Sequence, residues 1–274
     1  RYQHGYHAGN FADVHKHLIF SRVLDYLIQK AAPITCMDVY AGRGAYELNS
    51  TEALKTGEAA KGIQALWPAT NWPELAQPYG RAISDFNADS LLKRYPGSPV
   101  LARHWLRPDD RHVLCELHPQ ELTALKSAMK GAKHCAIHQR DALEAIRALT
   151  PPAIRRGCVL IDPSYEQKDE FQAVAESVTE GLGRWPEASW LIWYPLLPQA
   201  RHKQLLSALR GQGKRGQLIS ELQVRPLGAG MHGSGMLVIN PPWSLVSELQ
   251  SLQEWLGGLG QEGRAAHTLI SEKT

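Results

Sequence analysis

Short apolar runs alternate with segments of helical periodicity along most of this chain, and that alternation restricts its fold more than any other feature. Ile34 to Val39, His112 to Leu117, Cys135 to His138, Gly157 to Ile161 and Trp190 to Tyr194 read as buried strands. Between and after them lie three- and four-residue spacings of apolar side chains: Leu122, Leu125 and Met129; Leu143, Ile146 and Leu149; Phe171, Val174, Ala175 and Val178; Leu205, Leu206 and Leu209. Ahead of the first strand, Asn10 can cap a helix with Asp13 three residues on, and Phe20, Val23, Leu24 and Leu27 continue it until Pro33. Strands joined through helices form a parallel, doubly wound α/β sheet, with ligands at the carboxyl ends of its strands. Leu218 to Val224 and Met236 to Asn240 are joined by a Gly-rich loop with no room for a crossover helix. They are expected to pair antiparallel and bring the mostly parallel sheet to seven strands. Residues 48–98 interrupt the pattern, with Ala60, Ile63, Leu66 and Trp67 at helical spacing and Trp67-Pro68 and Trp72-Pro73 as breaks. A small inserted helical subdomain is expected there, with 1–47 and 99–274 as the main domain.

With 274 residues, 43% of them hydrophobic, the chain can bury a full core. The net charge of +3 permits an anionic partner without requiring one. The most apolar stretch, Trp190 to Leu197, is broken by Pro195 and falls far short of the roughly 20 residues that span a bilayer. No secretory leader is read, so a cytoplasmic protein is expected, and a monomer. Cys36, Cys115, Cys135 and Cys158 each sit in an apolar segment and never in CxxC spacing, which reads as buried strand residues. His4, His7, His15 and His17 raise the question of a metal. His15 and His17 face different ways on a helix and no cysteine joins them, so no metal is expected.

The fourth apolar run leads into Asp162-Pro163-Ser164-Tyr165, a sequence narrowly suited to one chemistry. An adenine N6 amine is a weak nucleophile because its lone pair is delocalised into the ring. A carboxylate such as Asp162 and the Pro163 carbonyl could each accept one N6 hydrogen and localise that pair, while the Tyr165 ring stacks on a base taken out of its helix. The bland alternative is a turn, since Asp, Pro and Ser are turn formers. Ala41-Gly42-Arg43-Gly44-Ala45 after the first strand lets a ligand approach the backbone but lacks GxGxxG spacing. Glu116, ending the second strand, suits the two hydroxyls of an adenosine ribose. Asp141, ending the third, suits the exocyclic amine of a cofactor adenine. Singly, each acid can also be a helix cap or a surface charge.

In this order the motifs resemble those of the 23S ribosomal RNA adenine-N6 methyltransferases, formerly described as proteins of external DNA utilisation. The resemblance runs essentially end to end. It rests on Tyr2-Gln3-His4, His7-Ala8-Gly9-Asn10, Ala12-Asp13-Val14, Lys16-His17, Tyr95-Pro96-Gly97-Ser98-Pro99, Glu116-Leu117-His118-Pro119, Asp162-Pro163 with Tyr165, and Asn240-Pro241-Pro242-Trp243. It implies a Rossmann-like class I methyltransferase sheet with a helical insertion, and S-adenosylmethionine as donor, released as S-adenosylhomocysteine. By the same resemblance His17, Tyr40, Ser98, Glu116, Asp141, Ala142 and Asp162 contact the cofactor, Asp162 is catalytic, and Tyr2 and His4 meet the RNA. Lys16, beside His17, is read as facing phosphate. The chain departs from the family in Ser164, where a second proline is usual, and in Tyr40 and Ala142, where His and Gly occur.

Asn240-Pro241-Pro242-Trp243 is a second sequence of the adenine-methylating type, but it comes after the last strand, away from the switch point, and is assigned to structure. Arg1, Tyr2, His4, Tyr6 and His7 mix cations with rings, as RNA contacts do. Lys93, Arg94, Arg103, His104 and Arg107 place positive charge around the insertion, as for an RNA groove, while Arg201, His202, Lys203, Arg210, Lys214 and Arg215 form a second basic face. The expected function is methylation of an adenine N6 in 23S ribosomal RNA, either naked or in an early assembly intermediate. The alternatives are a DNA adenine-N6 methyltransferase, a non-catalytic nucleic-acid binding protein serving external DNA utilisation, and a protein glutamine methyltransferase.

Overall fold

The structure, a computed structural model, describes residues 2–89 and 91–273; Arg1, named above among the RNA contacts, lies outside them. Helix α1 (Phe11–Leu27) begins where the Asn10 side chain accepts a hydrogen bond from the Asp13 amide at 2.9 Å. Strand β1 (Thr35–Asp38) comes next, then a short ribbon strand β2 (Ala45–Glu47), helices α2 (Thr51–Thr56), α3 (Ile63–Leu66) and α4 (Gln77–Phe86), and the second ribbon strand β3 (Arg94–Pro96). Helix α5 (Ser98–Trp105) returns the chain to β4 (Arg111–Cys115), after which α6 (Pro119–Ala128), β5 (Cys135–His138), α7 (Ala142–Leu149), β6 (Gly157–Ile161), α8 (Glu170–Arg184), β7 (Ser189–Leu196) and α9 (His202–Leu209) alternate. Strands β8 (Gln217–Gln223) and β9 (Gly233–Ile239), helices α10 (Leu245–Ser251) and α11 (Gln253–Gly257), and strand β10 (Ala266–Glu272) complete the chain.

The main sheet has the order β10-β8-β9-β7-β6-β1-β4-β5, with β1, β4, β5, β6 and β7 parallel and β9 antiparallel to both its neighbours. It has eight strands where seven were expected. The additional β10 runs antiparallel to β8 at the sheet's edge and is largely exposed, so it lacks the apolar run that marks a buried strand. The chain leaves β1 toward β4 and β5, then returns to β6 and β7 on the other side. The switch point therefore lies at the carboxyl ends of β1 and β6.

Two large cores and a small third one around Leu114, Leu125 and Met129 cover the sheet's faces. One large core packs Phe20, Val23 and Leu24 of α1 with Ile63, Tyr79 and Ile83 of the 48–98 stretch and with Leu249 and Leu256; the other packs α7, α8 and α9 through Ile146, Val174, Val178 and Leu205. The stretch between β2 and β3 thus shares the main core instead of enclosing its own. All four cysteines lie in strands β1, β4, β5 and β6, and Cys36, Cys115 and Cys158 are buried. Arg107, expected beside an RNA groove, instead clamps Asp110 and the carbonyls of Ile28, Lys30 and Ala32. Its guanidinium is consumed in holding the loop before β1.

The second core closes tightly where α8 crosses β7. A Cβ built on Gly181 would stand 2.3 Å from Cη2 of the fully buried Trp190 and 2.9 Å from Cγ2 of Ile146. Helix propensity alone favours alanine over glycine by about 1 kcal/mol, but Trp190 is fully buried in β7 and Ile146 in the packed face of α7. Gly181→Ala is expected to destabilise the protein by ~1–3 kcal/mol in urea unfolding, the usual scale of overpacking. A rise in midpoint would show that helix propensity outweighs the contact.

Candidate active site

Strand β6 is buried along its whole length and delivers Asp162 to the switch point. The turn after it is unusual, since Tyr165 adopts φ 52° although it is not glycine. That conformation turns the ring inward, where it stacks on Phe171 at 4.2 Å and its hydroxyl donates to the Trp193 carbonyl at 2.7 Å. Among the described residues no donor reaches the Pro163 carbonyl, so it remains an available acceptor. Asp162 is 20% exposed and lines a pocket of about 180 Å³ with Tyr2, His4, Lys16, Ser164, Tyr165 and others.

One Asp162 oxygen is engaged from α1. Lys16 Nζ donates to Asp162 Oδ2 at 2.5 Å and to Asp13 Oδ1 at 2.9 Å. Burial alone would depress the Lys16 pKa, but the Asp13 and Asp162 carboxylates outweigh it and hold the ammonium above its ordinary range. Asp13 is buried too, yet the charges of His4 and Lys16 hold it well below the usual carboxylate range. From Asp13 the network runs outward, with His4 Nε2 at 2.7 Å from Asp13 Oδ2 and the Tyr2 hydroxyl at 2.6 Å from His4 Nδ1. The structure corrects the expectation that Lys16 contacts phosphate, because its ammonium is buried and bound on both sides by carboxylates.

The expected cofactor residues fall along the carboxyl edge of four neighbouring strands. Tyr40 lies just after β1, half-buried, and burial pushes its phenol above the ordinary range. Glu116 lies just after β4, its carboxyl raised by burial, and accepts from the His118 amide at 3.3 Å. Asp141 lies after β5 and caps α7, with Oδ1 accepting from the Leu143 and Glu144 amides, so its bland reading as a cap is realised; Ala142 is the first residue of that helix. His17 stands apart on α1, where Nδ1 meets the Tyr95 hydroxyl at 2.7 Å and burial depresses its pKa strongly. Ser98 donates to Asp38 Oδ2 at 2.6 Å.

Asp38 itself was missed, although a carboxylate inside the apolar run of β1 was the signal. It is fully buried, and its Oδ1 has no hydrogen-bond partner among the described residues. Such an atom is a buried acceptor waiting for a donor. The turn beyond it needs glycine, since Gly42 has φ 71° and a Cβ there would stand 2.7 Å from the Tyr46 hydroxyl.

The histidines disperse instead of converging. His4 goes to Asp13, His7 to Glu58, His15 to Ser220 and Ser234, and His17 to Tyr95. Asn240 of the second adenine-type sequence is spent on structure, its amide donating to the Pro186 and Ala188 carbonyls and accepting from the Arg215 amide. It lies at the opposite end of the sheet, because Ile239 pairs with Trp190 near the start of β7.

Residues 31–268 match the RsmJ family, described as ribosomal RNA large subunit methyltransferase D, RlmJ. The protein called ribosomal RNA large subunit methyltransferase J in Escherichia coli K12 is 36% identical over 272 residues, covering 98% of this chain and 97% of that protein. Its namesake in Haemophilus influenzae is 38% identical over 258 residues, 93% of this chain and 92% of that one. The crystal structure of protein LPL1258 from Legionella pneumophila superposes with a TM-score of 0.91 at 34% identity, covering 97% of this chain and 98% of that one.

Burial raises Asp38 to about 7, the Ser98 hydrogen bond opposing the rise and the Asp162 charge adding to it. In the unfolded chain an aspartate titrates near about 3.9. Between these values the folded state keeps a proton that the unfolded chain has released, so this group's contribution to stability falls as pH rises through that window. Asp38→Asn cannot ionise, and is expected to flatten the decline in unfolding free energy between about pH 4 and 8 by up to ~4 kcal/mol. A slope identical to wild type in urea titrations would assign the dependence to other groups.

Proposed function

The chain belongs to the RlmJ family of ribosomal RNA large subunit methyltransferases, and on that premise we propose that it methylates the N6 amine of an adenine in 23S ribosomal RNA. The observation that carries the chemistry is the pair of acceptors at the end of β6. Asp162 has Oδ2 fixed by Lys16, which leaves Oδ1 to the pocket, and the Pro163 carbonyl beside it lacks a donor. An N6 amine that gives one hydrogen to each is drawn toward a tetrahedral geometry, with its lone pair localised. The pocket, about 180 Å³ and walled by Tyr165, Trp193 and Pro195, is small enough to favour a single flipped base. Ser164, where the family usually has proline, leaves both acceptors in place.

The residues fit S-adenosylmethionine on two counts. Asp38 offers an orphaned buried oxygen at the end of β1, which suits an ammonium, and Glu116 offers a half-buried carboxyl at the end of β4, which suits ribose hydroxyls. Tyr40, Ser98, Asp141 and Ala142 lie along the same edge, with Ser98 holding Asp38 in position. When bound, the cofactor supplies an electrophilic methyl group on a sulfonium. An N6 amine held by the two acceptors would be placed to take that methyl group, and Asp162 Oδ1 would receive the surplus N6 proton. Lys16 holds that carboxylate in place, while Tyr2 and His4 close the outer wall of the pocket. The substrate form we propose is free RNA or an early assembly intermediate.

Purified protein incubated with methyl-labelled S-adenosylmethionine and unmodified 23S transcript, with duplex DNA in parallel, is expected to place label in N6-methyladenosine from the RNA alone. Asp162→Ala removes one acceptor of the pair and should lower the rate by at least about 10²-fold, the scale of a lost transition-state hydrogen-bond partner, with cofactor affinity changed little. Methylation by this variant at the wild-type rate would sink the assignment.

A further inference from the structure

A groove of about 1250 Å³ opens at the end of the sheet opposite Asp162. Gly157 and Ser189, the first residues of β6 and β7, line it, whereas Asp162 comes directly after the last residue of β6. Five strand residues at about 3.3 Å each put roughly 16 Å between the two ends. Lys30, Arg155, Arg156, Lys214, Arg215 and Lys273 line this groove together with Glu187 and Glu272. Six cations against two carboxylates leave it at +4, while the chain as a whole is +3, so all other residues together carry −1. The positive charge of the molecule is concentrated here.

Local bonds fix Arg155, Arg156 and Arg215 without cancelling the excess. Arg155 is paired with Glu187, already counted. Arg156 donates to the Ala32 and Leu27 carbonyls, and Arg215 to those of Glu187 and Asn240, all neutral acceptors. Beside them stands Trp243, 84% exposed. Asn240 is held at φ 58° by its three amide bonds, Pro241 and Pro242 stiffen the backbone leading to the indole, and the Pro242 carbonyl accepts from the Leu245 amide. The ring is therefore presented on a rigid base.

We infer that this groove is a second RNA-binding surface, with phosphates along its cations and an unpaired base stacked on Trp243. A membrane-seating face would gather several apolar side chains, whereas Trp243 is the one large exposed apolar residue, among those described, that lines the groove. The inference rests on the proposed RNA substrate and narrows it. RNA that occupies both ends must extend at least the depth of the sheet beyond its target adenosine.

The test compares binding of unmodified 23S transcript by wild type, Trp243→Ala and the double variant Lys30→Ala with Lys273→Ala, over a range of salt. Loss of one stacked base is expected to weaken binding by about tenfold. The double variant should lower the slope of log affinity against log salt by roughly 1.4, about 0.7 for each single-stranded phosphate contact. Both should keep wild-type cofactor affinity and wild-type turnover at saturating RNA, since neither change touches the pocket. Variants that bind the transcript like wild type, with the wild-type salt slope, would overturn the inference, as would loss of binding to phosphatidylserine vesicles in place of RNA. Wild-type protein that binds the transcript without forming N6-methyladenosine would instead remove the catalytic reading, and the variant comparison would still decide the groove.

Discussion

The structure depends on a helix that is buried on nearly every side and yet carries charge. All of α1 except Asp25 and Tyr26 is buried, including His15, Lys16, His17 and Arg22. A helix in that position is ordinarily apolar all round, because each unsatisfied polar group costs free energy on leaving water. Here each polar side chain ties the helix to a different part of the fold. His15 bonds Ser220 and Ser234 of the antiparallel strands, His17 reaches Tyr95 of the ribbon, and Arg22 reaches Glu248 of α10. The helix is thereby fixed in rotation and register by partners that apolar packing alone would not specify.

Lys16 is the member of that set that reaches Asp162, the proposed catalytic carboxylate. Its two carboxylate partners hold the ammonium from both sides, and the partly exposed Asp162 carries that contact to the edge of the buried cluster. Buried ion pairs are poor sources of stability, since desolvation consumes most of the Coulombic gain. Their value here is geometric. The carboxylate proposed to aim an amine is itself held by a cation on a helix that the whole core immobilises. The same cluster continues through His4 to Tyr2, so the segment ahead of α1 is linked through Asp13 and Lys16 to the carboxylate whose pocket it lines.

Much of this was legible in the residues. Strands β1, β4, β5, β6 and β7 fall within a few residues of their apolar runs because both faces of a parallel sheet are covered, which leaves continuous hydrophobic segments. The antiparallel pair β8 and β9 followed from a loop too short for a crossover. Of the features that escaped notice, β10 and the Lys16–Asp162 pair lack a local signature. Strand β10 takes its structure from the open edge of β8, and its half-exposed side chains show no buried run. Asp38 was hidden by the apolar strand that contains it, and Lys16 is printed no differently from a surface lysine. Its partner lies 146 residues away in the chain, a separation that no spacing rule spans.

Two short sequences of the same chemical type show why environment and not lettering decides function. Asp162-Pro163-Ser164-Tyr165 and Asn240-Pro241-Pro242-Trp243 each offer an acceptor, a proline and an aromatic ring after a strand. The first leaves a parallel strand at the switch point, where one carboxylate oxygen and one carbonyl remain unclaimed and the ring is turned inward. The second leaves a strand of opposite direction and so emerges at the other end of the sheet, where the Asn240 amide is fully claimed by backbone groups and the ring points to solvent. Strand direction alone separates them. Reversing β9 relative to β7 carries the same constellation away from the crevice at Asp162 and to the groove lined by Lys30, Arg155, Arg156 and Arg215.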